Sequence, residues 1–475
     1  MTESRLTSFL QSGESIPVRE RLSLVWELSL PAILAQISEI IMQYIDAAMV
    51  GSLGAAASAS IGLVASSTWL IGGLMSACAA GFCVQVAHAV GAGQPEKCRQ
   101  LLKEGVIISA LFAALLTLIG TLVSAPLPAW LGAEQAIRGN ASDYFRIYAL
   151  FIPFRMFFWL GQMMLQCTGN MKTPGRLNVL MCASDIVYNF LLIYPSRLIS
   201  IGSLSFWMPG AGLGVLGAAL GTAFSVVTAA VPMMISVFIA SPVLSLRNDR
   251  SPWRLVRADL AEAWHLALPM GFEQAALTVA QIVSVRIVAP LGTIAIAANS
   301  FAVTAESLCY MPGYGIGSAA TTMVGQAVGA RRKDAARSFA WLTVGTGMAV
   351  MTLSGTAMYF LSPLVLSFLT PDPQVRQLAV QVLRIELLAE PLFAASIVAS
   401  GALRGAGDTL VPAILNLVSI WGVRLTLASV LSRSIGLRGV WIAMCTELCI
   451  RGLLFLIRLK REKWLEKIPQ GKPAC

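Results

Sequence analysis

Apolar residues fill the chain in long blocks, and short knots of Gly, Pro and charge separate the blocks. Windows of about 20 mostly apolar residues, the length that crosses a bilayer as a helix, recur along nearly the whole sequence. They fall near 22–48, 55–85, 101–124, 140–165, 175–195, 212–240, 263–288, 294–325, 337–362, 376–400, 409–430 and 437–458. Twelve such spans predict an all-α polytopic membrane protein. The second, eighth and tenth carry enough Gly, Pro or charge to be bent. The longest polar stretches are the first 21 residues, 241–262 and the last dozen or so, so no soluble domain fits between the spans.

Composition agrees with this pattern. The chain has 475 residues, of which 56% are hydrophobic and only 12% charged, against about 25% charged in soluble domains. A net charge of +10 would suggest nucleic acid in a soluble protein. In a membrane chain it is topological, because Lys and Arg collect on the cytoplasmic side. The two tails and the even-numbered connections hold 23 Lys and Arg, and the odd-numbered connections hold five. Both termini are therefore expected in the cytoplasm, with an even number of spans. The opening residues are short and mixed in charge, unlike a cleavable signal. Nine cysteines without a CxxC read as small buried thiols.

The sequence also echoes itself. "AVGAGQPEKCR" near residue 90 returns as "AVGARRKDAAR" near 328, displaced by 238. The same displacement carries Pro31 onto Pro269, Gly54 onto Gly292, Pro153 onto Pro391, Pro174 onto Pro412 and Asn178 onto Asn416. The register then slips to 224, and a long outside loop, "PSRLISIGSLSFWMPGAG", accounts for the roughly 14 additional residues. Six spans per half make the halves parallel repeats about an axis along the membrane normal. The expected organisation is a cytoplasmic tail over 1–21, an N-lobe over 22–240, a cytoplasmic linker over 241–262, a C-lobe over 263–458 and a basic tail over 459–475. The glycines of "GAGQPE", "GARRKD" and "GAGDT" sit where a span ends and the chain reverses, which calls for positive φ. Nucleotide-loop spacing is absent from them, so an ion gradient is the expected energy source.

"QYIDAAMVGSLG", "LQCTGNMKTP", "LGVLGAALGTA", "YMPGYGIGSAATTMVGQAVGA" and "GALRGAGDTLVPAILN" together resemble the MATE family, the multidrug and toxic compound extrusion transporters. The resemblance spans nearly the whole chain. It implies twelve helices in two six-helix lobes, and export of cationic or amphipathic compounds in exchange for protons or sodium ions.

Ionisable residues at membrane depth are costly and usually face a bundle interior or a wet cavity. Asp46 lies 15 residues after Pro31, and Glu39 precedes it by two helical turns on roughly the same face. Asp46 either caps a helix end before "GSLG" or exchanges an ion for substrate, and the family's ion-coupling aspartate in the first helix matches it. Asp185 and Asn189 are four apart and share a face. Many family members resemble Asn-xxx-Asp there, so the two residue types are exchanged in this chain. With Thr222, these residues match the positions of the family's N-lobe ion site, where oxygen ligands would hold sodium or relay a proton.

Glu273, Glu306, Glu386 and Glu390 are the C-lobe acids, and Ser284 stands where the repeat would place a partner of Asp46. Glu273 is about one turn off the family's pattern, so no coupling role is carried over to it. A candidate substrate cavity comprises Glu39, Glu273, Arg286, Glu306, Tyr310, Glu386, Glu390, Phe154 and Met163. Arg155, Arg286 and Arg384 are expected to neutralise the glutamates. His88 and His265 lie near cytoplasmic helix ends and read as satisfied interfacial residues.

The function expected is secondary antiport, as a monomer in a bacterial inner membrane, of small amphipathic molecules against protons or sodium, with membrane lipid as the surroundings. No cofactor, nucleic acid or enzymatic chemistry is expected. The alternative is a flippase of the same broad superfamily for a lipid-linked or other anionic amphiphile, whose cavity would be basic.

Overall fold

A computed structural model describes residues 2–12, 17–201 and 204–466. Helices dominate it. In order they are α1 (Thr2–Ser12), α2 (Val18–Gly51), α3 (Ala55–Gly91), α4 (Pro95–Val123), α5 (Leu127–Trp130), α6 (Gln135–Leu150), α7 (Ile152–Cys167), α8 (Lys172–Ile193) and α9 (Val215–Ile235). The second half follows with α10 (Arg257–Val288), α11 (Thr293–Gly329), α12 (Lys333–Leu369), α13 (Pro373–Glu386), α14 (Glu390–Gly405), α15 (Leu410–Leu417), α16 (Thr426–Ile435), α17 (Leu437–Lys460) and α18 (Lys463–Glu466). Between α8 and α9 the expected loop is an antiparallel hairpin of β1 (Pro195–Ile201) and β2 (Leu204–Ala211).

Among the described residues, ten helical stretches are long and apolar enough to cross a membrane, or eleven when the bent pair α6–α7 is one span. The chain is thus a multi-pass membrane protein. The remaining expected span, 376–400, falls on α13 and α14, which a short 3-10 turn separates at Leu387–Ala389. Arg384, Glu386 and Glu390 at this break dilute its apolar character.

The breaks are not all where the pattern of Gly and Pro suggests. α3 and α11 are uninterrupted helices of 37 residues each. The sharp bend, 50°, is in the fourth span between α6 and α7. Pro153, at the second position of α7, has no N–H to offer the preceding turn, and the helix breaks at Phe151 instead of running through. The tenth span is broken as expected.

The two halves meet through α2 and α3 on one side and α10 and α11 on the other. At the Lys- and Arg-rich end their backbones meet, and the sequence echo lies in that contact. A Cβ on Gly91 would fall 1.9 Å from the Gln326 carbonyl oxygen, and one on Gly329 would fall 1.9 Å from that of His88. Only glycine lets these backbones touch. Two hydrogen bonds repeat the symmetry: His88 Nε2 donates to the Gly405 carbonyl at 2.8 Å, and Gln326 Nε2 donates to the Cys167 carbonyl at 2.9 Å. Each donor satisfies a carbonyl at the C-terminus of a helix in the opposite half, where no intrahelical partner exists. Both pairs are displaced by 238, from 88 to 326 and from 167 to 405. At the other end, the Gly54 and Gly292 turns have nothing within 4 Å of where a Cβ would sit.

The basic end is further tied by polar contacts. Lys103 is buried, and its ammonium meets Asp249 Oδ2 at 2.8 Å and both the carbonyl and hydroxyl of Ser251 at 2.7 Å. That hydrogen bond from Lys103, with the Ser251 amide, holds the Asp249 carboxyl below the usual carboxylate range. The connection after α9 is thereby docked, and α10 begins at Arg257, earlier than the pattern of apolar residues suggests. α1 packs Leu6, Phe9 and Leu10 into the core formed by α2, α11 and α12, with Phe9 edge-on to Phe339 at 5.9 Å.

The turn glycines behave as expected, with one exception. Gly93, Gly169 and Gly407 have φ of 68°, 92° and 84°, but Arg331, displaced by 238 from Gly93, also sits at φ 58°. A side chain in the left-handed region costs about 1–2 kcal/mol. Arg331→Gly is therefore expected to stabilise the protein by about 1 kcal/mol, read as a rise in the unfolding midpoint in detergent. A fall in that midpoint would show that the Arg331 side chain contributes more than its backbone costs.

Candidate functional site

α8 runs between α2 and α9 in the first half and presents Asp185 and Asn189 from successive turns. Both are buried, at 0% and 1% exposure. Asn189 Nδ2 donates to Asp46 Oδ1 at 2.8 Å and to Asp185 Oδ2 at 2.9 Å. One amide thus spends both of its N–H groups bridging two carboxylates from different helices. Ser225 on α9 donates its hydroxyl to Asp185 Oδ1 at 3.1 Å. α9 comes this close because Gly221 faces the amide: a Cβ there would lie 2.1 Å from Asn189 Oδ1.

Three of the four residues expected at an ion site are therefore assembled directly, Asp46, Asp185 and Asn189. Asp46 does not merely cap a helix, since α2 continues to Gly51. Thr222 is the exception. Its carbonyl lies 2.8 Å from the Ser225 hydroxyl and competes with Asp185 for that one proton, and its side chain lines a neighbouring cleft. Ser225, which the sequence pattern does not single out, supplies the hydroxyl that touches the acids. Its signal is the spacing of three from Thr222, which puts both on one face of α9.

A narrow, partly open cleft, with room for about 10 Å³, lies between the α6–α7 bend and α9. Tyr144, Tyr148, Phe151, Arg155, Ala219, Thr222, Ala223 and Val226 line it. None of the residues expected around a substrate cavity is among them. Phe154 stacks beside Phe151 at 5.9 Å and is 42% exposed on the outside of the bundle. Met163 packs onto the core of the first half.

The MatE family model matches residues 31–191 and again 269–430, two stretches whose starts differ by 238 and which together cover about two thirds of the chain. The chain belongs to the MATE family. Its relatives include proteins described as probable multidrug resistance protein NorM. The Thermotoga maritima protein is 26% identical over 98% of this chain and 97% of its own length. The Idiomarina loihiensis protein is 27% identical over 92% of this chain and 93% of its own. Solved MATE structures share the fold. One in complex with MaL6 has a TM-score of 0.87 at 20% identity, covering 98% of this chain and 99% of that one. A MATE transporter captured in an outward-facing conformation has a TM-score of 0.86 at 19% identity, with the same coverage.

Within this MATE architecture the C-lobe acids are placed differently from expectation. Glu273 does not stand free in a cavity: Arg404 donates to both its oxygens at 3.0 and 2.9 Å, and Asn416 donates at 2.6 Å. Glu386 and Glu390 are fully buried, and none of their carboxylate oxygens has a hydrogen-bond partner among the described residues. They lie one on each side of the 3-10 turn and do not face an open cavity here. Glu306 is buried at 6% exposure. Tyr310 packs between Tyr314 and Phe393, at 6.0 and 5.5 Å. Glu39 is half-buried on α2, and Arg286 is exposed near the end of α10.

None of the arginines expected to neutralise the glutamates lies within ion-pairing distance of one among the described residues. Arg384 donates Nε to the Tyr359 carbonyl at 3.1 Å and lies over that ring. Arg155 lies over Tyr148, with 4.9 Å to the ring centroid. The pairing falls to others. Arg404 takes Glu273, while Arg424 and Arg451 converge on the fully buried Glu447 at 3.5 and 3.1 Å. His88 is satisfied at the interface, as expected.

Proposed function

We propose that this MATE protein is a secondary antiporter that exports amphipathic organic compounds in exchange for protons by alternating access. The observation that carries the ion assignment is the polarity of Asn189. Its amide turns N–H groups, not its oxygen, toward Asp46 and Asp185. Two ionised carboxylates sharing one neutral amide repel each other in a low dielectric, and one added positive charge relieves that repulsion. A proton can join either carboxylate with the amide left as it is. A sodium ion between them would meet N–H groups, and would require the amide to turn its oxygen toward the acids.

The same proposal takes lobes at 22–240 and 263–458, twelve crossings, both termini in the cytoplasm of a bacterial cell and a functional monomer. The contacts of His88 and Gln326 then close the cytoplasmic end. Substrate binds between the lobes while Asp46 and Asp185 are ionised, and a proton entering from outside displaces it. The relatives' description as probable multidrug resistance proteins supports export of varied compounds. The flippase alternative needs basic charge: Arg404 is held by Glu273, while Arg424 and Arg451 share the one carboxylate of Glu447, and export of an anionic against a cationic amphiphile separates the two readings.

The test is efflux from liposomes holding the purified protein, driven by a pH jump without sodium or by a sodium jump at fixed pH. The pH jump is expected to drive efflux and the sodium jump to leave it at background. Sodium-driven efflux at an equal rate would overturn the proton assignment, and no response to either would overturn antiport itself.

A further inference from the structure

Helix α1 has no part in the site described above. Leu6, Phe9 and Leu10 are spaced by three and four residues, so they share one face of it. A helix of 11 residues is marginal by itself in water, and its order depends on what that face meets. All three side chains are buried. α1 touches both halves to achieve this: it lies against α2 and α3 of the first and against α11 of the second. Phe9 also meets Phe339 of α12 edge-on.

Its last turn reaches two connections that the repeat makes equivalent. Arg332, between α11 and α12, donates from Nη1 to the Phe9 carbonyl at 3.2 Å and lays its guanidinium over the Phe9 ring, 4.9 Å from the centroid. A cation at the C-terminal turn of a helix is also favoured by the helix dipole. Gln11 Nε2 comes within 3.1 Å of where a Cβ on Gly93 would sit, between α3 and α4. Gly93 lies two residues past the Gly91 contact, and Arg332 lies three past the Gly329 contact. α1 therefore ties together the same two turns that the glycine contacts bring together. Such reaches are lost when the partners move by a few ångströms. When the turns separate, α1 can follow only one of them.

We propose that α1 is a latch on the basic end, holding the turns after α3 and α11 together and releasing one half each time that end opens. This rests on the alternating-access reading above and gives it a restraint outside the membrane spans. Two groups that bias one equilibrium do so reciprocally. Loosening α1 favours opening, and opening loosens α1.

The test is hydrogen–deuterium exchange of the full chain in nanodiscs, read by mass spectrometry with no gradient. Gly329→Ala, which parts the glycine contact, is expected to speed exchange of the α1 amides by about fivefold. In the other direction, Arg332→Gln is expected to speed exchange in the last turn of α3, in the opposite half, by about fivefold, the scale of one lost charge-assisted or cation–ring contact. Phe9→Ala should do so at least as strongly. A helix that merely covers the surface would loosen alone, so an unchanged last turn of α3 in either variant overturns the latch. So does unchanged α1 exchange in Gly329→Ala. Arg332→Gln leaves the apolar face of α1 intact, which keeps the test independent of a variant that loses a core ring. The efflux assay separates the two ideas: coupled exchange without gradient-driven export would leave the latch assigned and antiport refuted, and export without coupled exchange would do the reverse.

Discussion

Asp46→Asn and Asp185→Asn are each expected to lower proton-driven efflux to the level of vesicles lacking the protein, at near-normal protein levels. The pair takes up an ion because two carboxylates, one fully buried and one half-buried, share a single amide. An amide in place of either acid is nearly the same size and removes the repulsion. One ionised group then remains beside Asn189, adequately bonded, with no reason to exchange. Substrate affinity should also lose its dependence on proton concentration, since the effect of proton on substrate and of substrate on proton are one coupling energy. Everted vesicles give the first readout and dye binding against pH gives the second. Normal coupled efflux in both variants would exclude this pair as the coupling site.

The second large effect is expected at the basic-end interface. Gly329→Ala puts a methyl group where a carbonyl oxygen lies 1.9 Å away, and Gly91→Ala does the same on the symmetric contact. Real contacts of that kind do not occur, so the two helices must part. Parting them pulls His88 from Gly405 and Gln326 from Cys167, each bond worth about 1 kcal/mol, or about fivefold in the balance between closed and open. His88→Ala alone should produce only that fivefold change. Either glycine variant should cut efflux by more than about tenfold, because the backbones themselves are held apart. Normal efflux in both glycine variants would show that this contact does not govern opening.

Much of this molecule is readable in one dimension. Every expected span falls on a helix or a helix pair, because a run of about 20 apolar residues between Gly- and Pro-rich turns has no other way to satisfy its backbone in lipid. The spacing of four between Asp185 and Asn189 is enough to put both on one face of a helix. Other features depend on rotation and crossing. Thr222 and Ser225 both lie on the same side of α9, and the packing against α8 at Gly221 selects Ser225 for the acids. The fourth span breaks because Pro153 sits where a new helix begins, while Pro312 is carried inside the unbroken α11. The hairpin at 195–211 reads as loop, since its apolar alternation is short and interrupted by Gly and Pro.

The sequence by itself determined a helical membrane protein of the MATE family with its repeated landmarks, since apolar length, charge bias and the 238-residue echo are properties of order along the chain. Tertiary structure decided which arginine meets which glutamate, that His88 and Gln326 bind across the two halves, and that Arg155 faces the aromatic cleft. Those partnerships depend on a reach of about 3 Å between side chains. A helix turned by one residue moves a side chain by about 100°, and nothing in linear spacing records how two helices are turned toward each other.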